Sequence, residues 1–132
     1  MQALWHMHRL AYRVSGGRAA GDGTLAIHTV GRRSGEPRMT LLNYLDDGGR
    51  YVVVASNAGS QRHPAWWLNL QARSGAEVVV GGRRVPVRAH RANGVERERL
   101  WERILEWNPV YAAYAAETAR SIPVVVLEPV SR

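Results

Sequence analysis

A chain of 132 residues is long enough to form one domain with a real core, and its apolar fraction of 45% argues against global disorder. It has no cysteine, which excludes disulfides, thiolate metal sites and cysteine nucleophiles together. No apolar run approaches a membrane span or a secretory signal core, so the composition describes a soluble chain suited to a reducing cytoplasm. The net charge of +7 comes from arginine alone, without a single lysine. Arginine-biased codon usage accounts for the count, so position must identify any site. A positive field still draws an anionic partner, whether phosphorylated cofactor, lipid surface or nucleic acid.

Residues 1–15 form an expected amphipathic helix. Leu4, Met7, Ala11 and Val14 make one apolar stripe, with His8, Arg9 and Arg13 nearby. Such a segment packs on its own domain or rests peripherally on a membrane surface. Gly16-Gly17 and Gly21-Asp22-Gly23 punctuate an expected flexible loop over 16–23. Strand signals follow at Thr24 to Val30, Arg38 to Leu45 and Arg50 to Ser56, rich in β-branched and aromatic residues. Asp46-Asp47-Gly48-Gly49 marks a hairpin between the last two. A short helix is predicted from Pro64 to about Ala72, then strands at Glu77 to Val80 and Arg84 to Arg91 around a Gly81-Gly82 turn. Asn93 opens a helix with Glu96 placed to close a capping box, and Leu100, Trp101, Ile104 and Leu105 make its apolar face. Asn108-Pro109 ends that helix and caps the next, which carries Tyr111 and Tyr114. Ile122 to Leu127 is an unbroken apolar run that reads as a buried strand. About six mostly antiparallel strands with helices inserted late predict an α+β, mainly β, barrel with helical covers, in a single domain over 1–132.

No metal site is expected from the five histidines, because none has a spacing that aims several ligands at one ion, and each reads as a core or surface residue. No serine stands in a nucleophile elbow, which argues against a hydrolase. No RNA-binding or helix-turn-helix signature accompanies the arginines, so nucleic acid is not expected as a partner. Two segments carry more. In Gly31-Arg32-Arg33-Ser34-Gly35-Glu36-Pro37-Arg38, two glycines bracket a turn where backbone N–H groups can converge on an anion among three arginines and a hydroxyl. A solvated hairpin is the equal alternative. In Ala55-Ser56-Asn57-Ala58-Gly59, small residues end an apolar strand and would let a flat ring approach the backbone. Trp66 and Trp67 in the next helix point in different directions, and packing is the favoured reading for both.

The strings Thr29-x-Gly31-Arg32-Arg33-Ser34-Gly35-x-Pro37-Arg38, Val53-Val54-Ala55-Ser56-Asn57-x-Gly59, His63-Pro64-Ala65-Trp66-Trp67-Leu68-Asn69-Leu70 and Tyr111-x-x-Tyr114 with Thr118-x-Arg120-x-Ile122-Pro123 occur in this order. In this they resemble the deazaflavin-dependent nitroreductase and quinone reductase family, a branch of the split-barrel flavin and deazaflavin oxidoreductases. The likeness runs from about Leu10 to Pro129. It implies a split β-barrel that binds coenzyme F-420, an 8-hydroxy-5-deazaflavin with a phosphate and an oligoglutamate tail, and passes its hydride to a quinone, nitroaromatic or activated alkene. By the same resemblance Arg32, Arg33, Ser34 and Arg38 would hold the phosphate and acidic tail. Ala55, Ser56, Asn57 and Gly59 would border the ring with Trp66 nearby. Tyr111, Tyr114, Asn43 and Asn108 would face the acceptor, and Tyr111 and Ser56 are the candidate catalytic residues. Departures from the family pattern are Asn57 for lysine, Ala58 for glycine, Leu41 for proline, Asn43 for an aromatic and Asn108 for tyrosine. The alternatives are an FMN-binding split barrel and a non-catalytic cofactor carrier, and split barrels often pair as homodimers.

Overall fold

The computed structural model describes residues 23–130. The expected amphipathic helix at 1–15, its membrane contact and most of the loop at 16–23 lie outside the described residues. In chain order the elements are β1 (Thr24–Val30), β2 (Pro37–Asn43), β3 (Leu45–Asp47), β4 (Arg50–Val54), a 3-10 turn (Asn57–Gly59), α1 (Ala65–Ala72), β5 (Gly75–Val80), β6 (Arg83–Arg91), α2 (Gly94–Trp107), α3 (Val110–Glu117) and β7 (Val124–Pro129). The described strands number seven rather than about six, because the expected strand Arg38 to Leu45 breaks at Tyr44. There the Tyr44 N–H turns to Gly23 O at 3.3 Å, and Leu45 pairs with Val52 of β4 instead of continuing along β1.

All strands join one antiparallel sheet in the order β2-β1-β5-β6-β7-β4-β3. Its two edges, β2 and β3, are neighbours in sequence through Tyr44, so the sheet has to curl back on itself. The edges meet at that corner but do not pair along their length, which leaves the barrel split between β2 and the end of β4. This split is where the cleft described below opens.

The alternation of strand side chains builds two cores from one sheet. Tyr51, Val53, Ala55, Val125 and Leu127 face the barrel interior with Leu25, Ile27, Val78 and Val87, and α1 closes this core with Trp66, Trp67 and Leu70. Val52, Val54, Val124 and Val126 face the opposite side, where Leu100 and Ile104 of α2 cover them. Central strand β7 is therefore buried on both faces, which accounts for its unbroken apolar run.

Polar ties lock α2 over the β3–β4 hairpin. Asp47 accepts from Arg50 at 2.6 Å, Arg99 at 2.9 Å and Arg103 at 2.8 Å, and the Arg99 and Arg50 bonds hold its carboxyl well below the usual carboxylate range. Glu96 does not close a capping box. It accepts from Arg50 at 3.1 Å and lies 3.0 Å from His90 Nε2, while Asn93 Nδ2 donates to Arg91 O. A charged long-range partner outcompetes the local cap.

Candidate active site

The turn between β1 and β2 is tightened from within. Gly31 N–H donates to Glu36 O at 2.8 Å and Gly35 N–H to Gly31 O at 2.9 Å. Gly31 sits close to its neighbours, since a Cβ there would stand 2.7 Å from Ser34 Oγ and 3.3 Å from Glu36 O and would make the hydroxyl turn away. Asn69, buried on α1, accepts from both the Arg32 backbone N–H at 3.1 Å and Arg32 Nη1 at 3.2 Å. Its own amide donates to Thr29 Oγ1 at 3.1 Å. The expected convergence of backbone N–H groups is thus corrected in part, because those of Gly31, Arg32 and Gly35 are spent inside the fold. The charge available to an anion lies on side chains. Among the described residues Arg33 has no side-chain partner, and exposed Arg38 makes only a 3.4 Å bond to Ser34 Oγ and a 3.8 Å pair with Glu36. Arg32, Arg33, Ser34 and Arg38 line a hollow of about 310 Å³ with Thr40, Ala65, Trp66 and Asn69.

A second cleft of about 390 Å³ fills the split of the barrel. Its walls are Thr40 to Asn43 of β2, Ser56, Asn57 and Ala58 beyond β4, His63 to Trp66 at the start of α1, and Asn108, Tyr111 and Tyr114. Thr40, Ala65 and Trp66 belong to both hollows, so the two adjoin. Asn57 and Ala58 hold left-handed backbone, at φ 47° and 54°, a conformation that costs a residue with a Cβ about 1 kcal/mol or more. Glycine, which pays no such cost, is the residue the resemblance leads one to expect at position 58. The loop is held by Gly59 N–H to Ser56 O at 2.9 Å, Asn57 Nδ2 to Arg62 O at 3.1 Å, and Arg120, which reaches Ala55 O, Ser56 O and Ser60 O.

Asn108 Oδ1 accepts the Val110 N–H at 3.2 Å from the C-cap of α2, one residue before Pro109, which takes the N-cap position of α3 that the sequence assigns to Asn108. Tyr111 then stacks on Trp107 at 6.0 Å and meets Tyr114 edge-on at 5.9 Å. Burial, with Tyr114 beside it, pushes the Tyr111 phenol up to about 12, so it keeps its proton at neutral pH.

The structure brings Ser56, Asn57, Trp66, Asn43, Asn108, Tyr111 and Tyr114 to one cleft and the four turn residues to the adjoining hollow. Ala55 and Gly59 are not brought to the wall. Ala55 is wholly buried in the interior core, and Gly59 packs against Glu117 and the Tyr114 carbonyl, where a Cβ would come within 2.9 Å of Glu117 Oε2. Trp66 both packs and lines, being 6% exposed yet shared by the two hollows. Asn43 is tied to the barrel, accepting from Thr24 Oγ1 at 3.1 Å. Sequence reasoning missed Asn69, Arg120 and His63 as site residues. The first two act on backbone far away in sequence, and His63 has no local pattern that separates it from a core histidine.

A curled antiparallel sheet with an arginine-rich turn beside an open split defines a split-barrel cofactor-binding protein. The family model for F420H(2)-dependent quinone reductase matches residues 4–129, and the chain belongs to that family. An F420H(2)-dependent quinone reductase of Mycobacterium tuberculosis is 37% identical to it over 94% of this chain and 89% of the relative. The solved structure of an F420-H2 dependent reductase superposes with a TM-score of 0.72 at 35% identity, covering 80% of this chain and 93% of the other. A structure described as a domain-swapped dimer gives 0.73 at 30% identity, covering 97% and 100%.

Proposed function

We propose that this protein transfers a hydride from reduced coenzyme F-420 to an organic acceptor of the quinone, nitroaromatic or activated-alkene class. The observation that carries this reading is the continuity of the two hollows through Thr40, Ala65 and Trp66. A cofactor with a polyanionic tail can set its charge against Arg33 and Arg38 while its ring system enters the barrel split. The residues fit the group. Guanidinium side chains without strong partners suit phosphate and carboxylate, and the cleft is of ligand size. FMN carries a phosphate but no acidic tail, so it would leave part of this arginine cluster without a counter-charge.

When bound, the coenzyme supplies the hydride, and the protein supplies binding, orientation and exclusion of water. Arg32 is braced by Asn69 and shapes the turn, while Arg33, Ser34 and Arg38 hold the anion. Ser56, Asn57 and Trp66 border the ring, and the acceptor lies against Tyr111 and Tyr114. The protonated Tyr111 phenol donates a hydrogen bond to the acceptor oxygen on which negative charge develops as hydride arrives. The test is side-by-side titration with coenzyme F-420 and FMN, followed by turnover of reduced F-420 with a quinone, a nitroaromatic and an enone. Tighter F-420 binding with turnover of one acceptor is expected, and equal or tighter FMN binding overturns the reading. A homodimer accords with the dimeric neighbour, and light scattering of the purified chain tests the assembly.

A further inference from the structure

His63 lines the cleft immediately before α1 and is half-buried there. Its Nδ1 lies 3.0 Å from Arg120 Nη1. Arginine has donors only and keeps its charge, so in this contact Nδ1 has to be the acceptor, and the single ring proton of a neutral imidazole then resides on Nε2. Arg120 is itself fixed. Its Nε donates to Ser60 O at 2.9 Å, and its Nη2 donates to Ser56 O at 2.9 Å and Ala55 O at 3.2 Å. One guanidinium therefore sets both the loop that borders the cleft and the orientation of an imidazole on the same wall.

We propose that Arg120 holds His63 as the Nε2–H tautomer and that this N–H donates to a carbonyl oxygen of the ring system seated in the cleft. The proposal rests on the reductase reading and adds a polar group to it. The carbonyl belongs to the deazaflavin or to a quinone acceptor, since both present one on a flat ring. The electrostatics agree. Burial, followed by the charges of Arg120 and then Arg91, pushes the imidazole down from 6.5. The other charged or titratable neighbours are Arg62 next in sequence, Tyr111 and Tyr114 across the cleft, and Glu117 at the end of α3, which packs against Gly59 of the loop that Arg120 also braces. Protonation would abolish the acceptor at Nδ1 and set two cations against each other, so the arrangement holds above 6.5 and is lost as pH falls through the lowered value.

The deciding variant is His63→Asn, whose Oδ1 can still accept from Arg120 while the Nε2 donor is gone. Heteronuclear NMR of the imidazole nitrogens in the cofactor-free protein, assigned against this variant, should show an unprotonated Nδ1 and a protonated Nε2. His63→Asn should melt near wild type, yet lose about tenfold or more either in F-420 affinity or in kcat/KM for a quinone at unchanged affinity. The first loss assigns the carbonyl to the deazaflavin and the second to the acceptor. The acid limb of the wild-type pH profile should be missing from the variant. A proton on Nδ1, or a variant equal to wild type in affinity, kcat/KM and pH profile, overturns the proposal. Wild-type protein that neither binds F-420 nor reduces a quinone overturns the reductase reading instead.

Discussion

Replacing Asn69 by alanine removes the brace between α1 and the arginine turn. Asn69 is 3% exposed and Thr29 6%, so the bond to Thr29 Oγ1 is made away from water and that from the Arg32 backbone N–H is partly shielded from it. Each neutral bond contributes about 1 kcal/mol net, and a buried group left without a partner adds a desolvation cost of comparable size. The third bond, from the guanidinium of exposed Arg32, is discounted because water can replace Asn69 there. Asn69→Ala should therefore destabilise the protein by about 2–3 kcal/mol, which for a domain of this size lowers Tm by roughly 6–15 °C. Because the lost bonds set the position of the turn, F-420 affinity measured well below Tm should fall as well, by about tenfold. Thermal unfolding by circular dichroism and a fluorescence titration of the cofactor measure the two effects. A variant with unchanged Tm and unchanged affinity would refute the view that α1 positions the anion turn. A fall in Tm alone would reduce Asn69 to a packing residue.

Tyr111→Phe should lower kcat/KM for a quinone or enone by the equivalent of about 1–3 kcal/mol while F-420 affinity stays nearly unchanged, and steady-state kinetics beside a cofactor titration check it. The same phenol gives a stability signature. Its folded pKa of about 12 lies above the ordinary 10.0, so its contribution is complete below pH 10 and is lost as pH rises through 12, a loss the Phe variant lacks. Arg33→Ala and Arg38→Ala should each weaken F-420 binding by roughly ten- to a hundredfold, and wild-type affinity should fall with salt. Folded variants that bind like wild type would make the turn a plain hairpin. Ala58→Gly should raise stability by about 1 kcal/mol, because glycine takes the φ of 54° without the Cβ clash, and unchanged denaturant midpoints would count against strain at this wall.

Local sequence determined the elements with strong periodic or turn signals. β1 and α1 lie where residue alternation and proline placement put them, because those forces act within a few residues. The glycine-bracketed arginine turn and the residues facing the cleft were legible as well, through motifs in register with a known family. Tertiary structure decided the rest. Tyr44 ends one strand and starts another because the sheet must turn its edge there, a demand that no property of Asn43-Tyr44-Leu45 announces. Glu96 left its capping box for Arg50 and His90, since a charged pair brought together by folding outweighs a neutral local bond. Asn69 and Arg120 take their roles from oxygens and N–H groups 37 to 65 residues away, and His63 from a guanidinium 57 residues on. Such partners exist only once the sheet has closed, so only the folded chain could assign them.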